Sequence, residues 1–483
     1  MSIPTEYTPE LEYDASKLVH SNPKFTTIQA QNTQAFSFGA THTSGSGLFE
    51  LVIPSAVVNL SRSRLQFSIT TTVTTEANII ALCPSQLISR VSLSTVSGTL
   101  LCDIPAFNKY FHMVGGMSTS QSDLNTYPQG PGSTGFVYDG TTATRGLPRT
   151  LGDAKLWPRG ALTRSDAPHI PAATAGITNV VGDVARSPVQ HINCKYWEHD
   201  IAAATNVLYW DVSLGELMKH TLMSVDKLMY FGESLSLQIY YDAPQNYITS
   251  AVLPSTTYFT AGTGVYSAGA ITAPTLVLMQ EQNMDLANYV ANKFMRDGVD
   301  IPFSYVYGSR SAVAASQNQT VQQTINSSLG SSLLFVAAAP FQSTDQRLAF
   351  LSNDIVPVTR NNVTGTALTN YNTFIDSIPV SSPSNHDSTI SQEYRANQAN
   401  FEGSAFPLSL QEFKLYFTHV DNFTGLPLWQ LDKSQTQING MSLGASRIWS
   451  IQANWAASVA KNWHIFWAVQ RVLKIKDGRC SVV

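Results

Sequence analysis

One segment of the sequence brings metal-ligand side chains close together. It runs from His191 to Asp200 and holds two histidines, Cys194 and two acids. Histidine, cysteine and carboxylate groups are ligands for zinc and other borderline metals. The spacing of His191, Cys194 and His199 matches no established zinc motif, and on a strand the two histidines would face one side and Cys194 the other. A structural segment is therefore predicted, with Trp197 buried, the charges at a strand end, and neither a metal nor a cofactor bound.

The sequence carries no motif of a common enzyme class. It has no GxxxxGK[ST] phosphate loop, no HExxH zinc helix and no GxSxG nucleophile elbow. The glycine-rich stretch at 262–269 lacks the lysine that would reach a phosphate, and it is predicted to be a loop. Acids are scattered, so no pair of carboxylates for glycoside hydrolysis stands out. The chain is not expected to be an enzyme and no catalytic residue is assigned, although a β-rich hydrolase with an unrecognised site stays open as an alternative.

Four tryptophans crowd the C-terminal region. An exposed aromatic row can bind sugars, so a β-sandwich carbohydrate-binding or viral attachment protein stays open as a further alternative. However, Trp463 and Trp467 have the same strand parity as Ile465, so the three side chains share one face of a strand. Aromatic side chains on a shared apolar face are typical of packed regions. Trp449, Trp455, Trp463 and Trp467 are therefore predicted to lie in the core or in a subunit interface.

The composition favours strands and a weakly charged surface. Of the 483 residues, 13% are charged, against about 25% in an average globular domain. Long exposed helices use Glu and Lys, so their replacement by Ser, Thr, Asn and Gly favours strands and turns. The net charge of -4 argues against bulk electrostatic binding of nucleic acid. The compact basic run of Arg471, Lys474, Lys476 and Arg479 is predicted to be a solvated chain end.

The cysteines and the N-terminal residues indicate a protein of a reducing compartment. Cys83, Cys102, Cys194 and Cys480 are too sparse for a disulfide framework, and they are predicted to be buried or incidental thiols. The N-terminal residues lack the apolar core of a secretory signal. The longest apolar run, residues 333–341, is far shorter than the ~20 residues of a membrane helix. The chain is expected to be soluble and not exported.

The apolar pattern divides the chain into two similar halves. Residues 64–70 alternate apolar and polar side chains, which predicts a strand with one packed face. Strands of this kind, short helices at PAFNKYFHM and LANYVANKFMR, and long polar loops follow in a similar order in both halves, which indicates two β-sandwiches. The predicted units are an N-terminal arm at 1–24, a first sandwich at 25–245 with an insertion around 115–190, a connecting or tower loop at 246–273, and a second sandwich at 274–483 with an insertion around 353–405.

Four stretches of the sequence together resemble one known protein family. They are TTIQAQNTQAFSF with FELVIPSAVVNLSRSRLQFSI, QLISRVSLSTVSGTLLCDIPAFNKYFHM, VLYWDVSLGELMKHTLMSVDKLMYFGESLSLQIYYDAP, and TLVLMQEQNMDLANYV. Their order resembles the opening strands, the strand pair with a glycine turn and the closing part of one jelly roll, followed by the opening strand of a second. This is similar to the double-jelly-roll major capsid proteins of double-stranded DNA viruses, a lineage of virophages, polinton-like viruses and nucleocytoplasmic large DNA viruses. The resemblance covers residues 25–478.

The resemblance implies an all-β fold of two jelly-roll β-sandwiches in tandem, with long loop insertions and a few short helices. It further implies a structural major capsid protein that trimerises into pseudo-hexameric capsomers and tiles an icosahedral virion shell. The implied partners are the other copies of a homotrimer, neighbouring capsomers, and penton and minor capsid proteins, with no sequence-specific nucleic acid. The chain would be made and assembled inside the host cell and reside in the virion. A contact of the termini with an inner membrane or the genome stays open.

Overall fold

The computed structural model describes the strands that build two sandwiches and the segments beside them. The described residues are 21–32, 34–39, 47–73, 77–79, 87–115, 136–139, 154–156, 197–201, 205–242, 248–250, 266–342, 368–380, 386–387, 419–423 and 440–483. Almost all of the predicted N-terminal arm, and much of both predicted insertions, lies outside these ranges.

The strands of the described residues fall into two groups separated by a helix. The first group is β1 Pro23–Gln29, β2 Phe36–Gly39, β3 Gly47–Ile53, β4 Val58–Val73, β5 Ala77–Ile79, β6 Ile88–Thr95, β7 Leu100–Pro105, β8 Phe136–Asp139, β9 Ala154–Leu156, β10 Trp197–Ile201, β11 Thr205–Ser213, β12 Leu235–Tyr241, β13 Ile248–Ser250, β14 Tyr266–Ile271 and β15 Thr275–Glu281. The second group is β16 Val299–Ile325, β17 Ser332–Gln342, β18 Leu368–Ile375, β19 Ile378–Pro379, β20 His386–Asp387, β21 His419–Asn422, β22 Met441–Ser442, β23 Arg447–Lys476 and β24 Arg479–Val482.

The helices of the described residues are short. The α-helices are α1 Phe107–Tyr110, α2 Leu214–Leu217 and α3 Met284–Asn292, and the other helical turns are Phe111–Gly115, Leu222–Ser224, Lys293–Asp297 and Ser327–Leu329. The two helices predicted at PAFNKYFHM and LANYVANKFMR are confirmed as α1 and α3. The second helical segment ends at Gly298, whose φ of 78° lies in the region that glycine adopts without strain. None of the helices in the described part of the chain has the length and apolar character needed to cross a membrane.

Alternation of apolar side chains explains why these segments form strands. In β3, Phe49, Leu51 and Ile53 are fully buried, whereas the residues between them are partly exposed. A period of two places every second side chain on the same face of a sheet. The apolar faces of opposing sheets therefore meet, and the buried residues of both groups form one continuous hydrophobic cluster.

The first group of strands forms a jelly roll. One sheet has the order β1-β15-β4-β11 and is extended by β8, β14 and β2, and the other has the order β3-β12-β6-β7. If the eight principal strands are numbered along the chain, these orders are 1-8-3-6 and 2-7-4-5. All of the pairs are antiparallel. This is the wrapped two-sheet arrangement of an eight-stranded jelly roll.

The second group repeats this order, although two of its strands are continuous through both sheets. The first part of β16, up to Val313, pairs with the last part of β23, and the second part of β16, from Asn318, pairs with the first part of β23. The register shifts between Val313 and Asn318 mark the bend between the two sheets. When each part is counted as one strand, the two parts of β16 are strands 1 and 2, β17, β18, β19 and β21 are strands 3 to 6, and the two parts of β23 are strands 7 and 8. The pairs between these strands again give the orders 1-8-3-6 and 2-7-4-5. The predicted all-β double jelly roll is confirmed.

The strand predicted to open the second jelly roll lies in the first. Residues 275–281 form β15, which pairs with β1 on one side and β4 on the other. The prediction that the second unit begins at 274 therefore differs from the pairing, because β15 closes the first jelly roll as its eighth strand. We propose that the boundary lies after Glu281, in the segment that contains α3.

Two segments predicted to be loops contain strands. Within 353–405, β18 is a principal strand whose Tyr371, Thr373 and Ile375 are buried in alternation, although the segment is rich in Asn and Thr. Within 246–273, β14 pairs with β4. A separate small sheet has the order β13-β5-β10-β9. Its short strands lie in the segments directly before or after principal strands of the first jelly roll.

Candidate functional site at the junction of the two jelly rolls

The two jelly rolls meet through aromatic side chains that belong to different halves of the chain. Tyr110 of α1 contacts Phe466 of β23 edge to face, with ring centroids 5.4 Å apart, and both residues are fully buried. The Tyr110 hydroxyl donates a hydrogen bond to the carbonyl oxygen of Lys219 at 2.9 Å. Aromatic pairs of this geometry contribute about 0.5–1.5 kcal/mol beyond the burial of their area. The α1 segment therefore ties the first jelly roll to the sheet of the second.

A second set of contacts joins the chain's C-terminal hairpin to the first jelly roll. The Thr99 hydroxyl donates a hydrogen bond to the Cys480 carbonyl oxygen at 3.2 Å, and the Cys480 thiol lies 3.1 Å from the Phe231 carbonyl oxygen, to which it donates. Burial raises the pKa of the Cys480 thiol to about 12. The thiol therefore stays protonated and keeps its role as a donor at neutral pH.

The backbones of the two halves also approach each other closely. A Cβ atom placed on Gly308 would lie 2.7 Å from a ring carbon of Phe466 and 3.3 Å from the Pro105 side chain. Pro105 belongs to β7 and Gly308 to β16, so the absence of a side chain lets the two jelly rolls pack against each other here. The junction thus combines ring packing, hydrogen bonds and close backbone contact between the two jelly rolls.

A stack of aromatic rings runs along the second jelly roll beside this junction. Tyr305 and Tyr307 have ring centroids 4.6 Å apart, and Tyr307 stacks on Trp467 at 5.8 Å. The Arg471 guanidinium lies 5.4 Å from the centroid of the Tyr305 ring and donates to the Tyr307 hydroxyl at 3.3 Å. Burial raises the pKa of both tyrosines, which keeps them neutral. A cation over aromatic faces stabilises the side chains it covers.

A cavity of about 330 Å³ opens at the junction. Its lining from the first jelly roll includes Asn108, Lys109 and Asp242, and its lining from the second includes Arg310, Phe341 and His464. Lys109 is 5% exposed. Its ammonium group lies 4.9 Å from the centre of the Phe341 ring, and the same ring contacts His464 edge to face at 4.9 Å.

His464 is neutral in this setting. Burial, with the positive charges of Lys109 and Arg310 as smaller causes, lowers the pKa of His464 to about 3. The imidazole therefore carries no charge at neutral pH and acts as an uncharged polar group in the cavity wall. The sequence offered no signal for this cavity, since its residues are spread from Ser89 to Phe466.

The C-terminal tryptophans lie in the core, as predicted. Trp449, Trp455, Trp463 and Trp467 are each at most 6% exposed. Trp449 donates from its indole nitrogen to Asp421 at 2.8 Å, which gives a buried carboxylate a partner. A sugar-binding row needs exposed ring faces, so these four residues cannot form the row on which the carbohydrate-binding alternative rested.

Other predicted features fall partly outside the described residues. His191 and Cys194 are not described, and of 197–201 only the backbone of β10 is described, so the predicted structural role of that segment stays a prediction. In the described part of the chain, no group of three or more His, Cys, Asp or Glu side chains could hold a metal ion. Cys102 and Cys480 are buried and not in disulfides, and Cys83 and Cys194 lie outside the described residues.

The basic run is a solvated chain end at three of its four positions. Lys474, Lys476 and Arg479 are exposed on β23 and β24. Arg471 is different, because its side chain is half-buried against Tyr305 and donates to the Val482 carbonyl oxygen. Sequence position alone could not distinguish Arg471, since the tyrosine rings that cover it come from β16.

The strand order of the two sandwiches defines a double jelly-roll protein. No protein-family model and no curated protein matches the sequence. Solved structures match it over almost its whole length. VP54 of PBCV-1, fitted into a reconstruction of the virophage Sputnik, matches with a TM-score of 0.54 and 8% identity over 96% of this chain and 98% of that chain.

Two further structures show the same likeness. A quasi-atomic structure of the PBCV-1 virus capsid matches with a TM-score of 0.52 and 7% identity, over 96% of this chain and 98% of that chain. The mavirus major capsid protein matches with a TM-score of 0.50 and 11% identity, over 100% of this chain and 95% of that chain. These structures are double jelly-roll viral capsid proteins. At such low identities the likeness establishes the fold, and the chain shares that fold with them.

Proposed function

We propose that the protein is a major capsid protein, a structural component of a virion shell that performs no catalysis. The observation that carries the proposal is the repeated strand order, 1-8-3-6 with 2-7-4-5, in both halves of one chain. The solved structures with the same fold are capsid proteins, which supports the same role here. Jelly rolls leave few free strand edges, so they are suitable as rigid building blocks.

Three chains of this kind form a capsomer with a pseudo-hexagonal outline. Each chain supplies two blocks of the same topology, so a homotrimer has six blocks around its threefold axis, and hexagonal units tile the flat facets of an icosahedral shell. The contacts between Tyr110 and Phe466, and between Thr99 and Cys480, support this because they fix the angle between the two blocks. A capsomer built from loosely tethered blocks would have no defined outline.

Exposed apolar side chains on the described surface are suitable for contacts between copies. Ile378 is 66% exposed and Ile448 is 48% exposed, and they lie near each other because the Asp376 amide donates to the Ile448 carbonyl. Met284 on α3 is 77% exposed. Stable interfaces between subunits bury about 1,200–2,000 Å² in total. These residues are candidates for such surfaces in the trimer or between capsomers.

In the virion, the partners of the capsomer are neighbouring capsomers together with penton and minor capsid proteins. The capsomer needs no sequence-specific contact with nucleic acid. The protein is made and assembled inside the host cell and resides in the virion. The termini are the parts from which a contact with an inner membrane or the genome would come.

The oligomeric state of the purified full-length chain tests this proposal. Light scattering behind size-exclusion chromatography, at micromolar protein concentration, is expected to give three times the chain mass of 52.6 kDa. The same sample loaded at one-tenth of the concentration should give the same mass, because a capsomer is a stable assembly. A monomer at both concentrations would contradict the proposal.

A further inference from the structure

One sheet of the second jelly roll has an outer face whose side chains are exposed and uncharged. In this sheet, the first part of β23 lies between β18 and the second part of β16. Trp449 of β23 points inward, because its indole donates to Asp421 of the opposite sheet. Residues of the other parity therefore point outward. The outward residues of β16 and β23, called here the neutral face, are Thr320, Gln322, Thr324, Ile448, Ser450 and Gln452.

The neutral face is suitable for contact with another protein. Five of its six residues are exposed and Ser450 is half-buried. At the other ends of the same two strands, the exposed residues Asp300, Lys474 and Lys476 are charged. The centres of protein interfaces are depleted of charged residues, because each charge has to leave water when the surfaces meet. Burial of the neutral face removes none of its own side-chain charges from water, and it covers the apolar side chain of Ile448.

The neutral face lies on the side of the second jelly roll that points away from the first. Trp463 of β23 points into the core, since its indole donates to Gln319 of the other sheet at 3.2 Å. Phe466 has the opposite parity, so it points out of the sandwich, where it meets Tyr110 of the first jelly roll. The outer faces of the two sheets of a sandwich point in opposite directions. The first jelly roll therefore covers one side of the second, and the neutral face forms the other side.

A ring of three chains requires a contact on that other side. In the trimeric capsomer proposed above, on which this inference rests, each second jelly roll lies between the first jelly roll of its own chain and that of the next chain. Its side toward its own chain is already covered at the contact of Tyr110 with Phe466. We propose that the neutral face binds the first jelly roll of the next copy in the trimer.

The shared topology indicates which surface of the next copy meets the neutral face. Within one chain, the second jelly roll presents its 1-8-3-6 sheet to the first. Blocks of the same topology repeat around the ring, so the first jelly roll of the next copy presents its own 1-8-3-6 sheet. On the outer face of that sheet, Thr27, Val277 and Arg64 form one row. Arg64 is ion-paired with Asp211, so this pair enters the contact with its charges already compensated.

Charged substitutions at Gln452 test the proposal. This residue lies on the middle strand of the sheet, paired with Thr320 on one side and Asn372 on the other. Gln452→Glu and Gln452→Arg are each expected to raise the concentration at which the trimer dissociates by about tenfold or more, because either charge would be buried in the contact. Light scattering behind size-exclusion chromatography, over a dilution series of the full-length chain, measures this concentration.

The matched controls place the same charges outside the neutral face. Ser481 is exposed on β24, so Ser481→Glu and Ser481→Arg should leave the dissociation concentration unchanged. Circular dichroism spectra of all four variants should match that of the unsubstituted protein, since both positions are exposed. The proposal is overturned if the Gln452 variants dissociate at the same concentration as the unsubstituted trimer, or if the Ser481 variants are weakened equally.

A thiol measurement tests the same contact without dissociating the trimer. Gln452→Cys should react with 5,5′-dithiobis(2-nitrobenzoic acid) roughly tenfold or more slowly than Ser481→Cys, because the contact shields it from the reagent. The unsubstituted protein gives the rate of its own four cysteines. Equal rates at the two introduced thiols in a trimer would overturn this inference and leave the proposed function standing. An unsubstituted chain that is monomeric would overturn both.

Discussion

Gly232 and Gly478 lie so close together that a Cβ atom on Gly232 would be 2.7 Å from the Cα atom of Gly478. Gly232 belongs to the first half of the chain and Gly478 to the hairpin that ends the second. Both have positive φ, 75° and 72°, which side chains other than glycine rarely adopt. The two backbones therefore touch at a point where neither residue tolerates a side chain.

The first prediction follows from this contact. Gly232→Ala should destabilise the protein by about 1–3 kcal/mol, because it adds both backbone strain and a clash. Gly444→Ala is the control, since a Cβ there would meet only the Ser442 hydroxyl, at 3.6 Å, and its φ is not positive. The midpoints of thermal unfolding of the three proteins measure the difference. Equal midpoints for both variants would show that the contact does not constrain the junction.

The second prediction concerns the hydroxyl that anchors α1. Tyr110→Phe keeps the ring against Phe466 but removes the hydrogen bond to Lys219, so the part-buried carbonyl oxygen of Lys219 loses that donor. A loss of about 1 kcal/mol is expected. Tyr289→Phe, on the exposed surface of α3, should cost nothing measurable. Urea unfolding curves for both variants compare the costs, and a Tyr110→Phe midpoint equal to that of the unsubstituted protein would rule out the anchor.

The third prediction concerns the buried carboxylate of the second jelly roll. Asp421 is 5% exposed and accepts from the Trp449 indole at 2.8 Å. Asp421→Ala should destabilise the protein by about 1.5–3 kcal/mol, since a hydrogen bond to a charged group is lost and the indole N–H stays buried. Asp300→Ala, at an exposed position of β16, is the matched control. Differential scanning calorimetry should show a lower midpoint for Asp421→Ala only, and a shared decrease would argue against this interpretation.

The fourth prediction is a pH dependence caused by His464. The pKa of this imidazole falls from 6.5 to about 3 on folding, through burial and the nearby charges of Lys109 and Arg310. Between these two values the unfolded chain binds a proton that the folded protein does not. Stability therefore falls as the pH drops below about 6.5, by at most about 1.4 kcal/mol per pH unit from this residue.

The variant His464→Gln isolates this contribution. It should reduce the loss of stability between pH 6.5 and pH 4, and it should leave the pH dependence above pH 7 unchanged. Unfolding midpoints in urea at half-unit pH intervals measure both slopes. An identical slope in the variant between pH 4 and pH 6.5 would mean that His464 does not take up a proton on unfolding.

Local patterns in the sequence predicted the type of fold but not its pairings. The alternation of Phe49, Leu51 and Ile53 marks a half-buried strand from the order of the residues alone. The segment at 275–281 was recognised as a strand, yet its place beside β1 and β4 depends on partners about 250 and 215 residues away in the chain. No local pattern carries that information. The strand β18 was missed because its Asn and Thr residues resemble a loop, while its buried Tyr371 shows its role only in the folded sheet.

The sequence did not predict the junction or the cavity, because both bring together residues that are far apart in the chain. Lys109 and Arg310 are 201 positions apart and become neighbours of one cavity only when the two jelly rolls pack together. The close approach of Gly232 and Gly478 likewise depends on that packing. The four C-terminal tryptophans were predicted correctly, because strand parity alone placed Trp463 and Trp467 on the same apolar face.

We propose that the two jelly rolls, held at one junction, act as a single block in a trimeric shell unit. Negative-stain electron microscopy of the purified full-length protein tests this proposal, because it images the outline of the particles. We expect particles with a hexagonal outline and threefold symmetry, or closed shells built from them. Isolated two-lobed monomers with no symmetric assembly would contradict it.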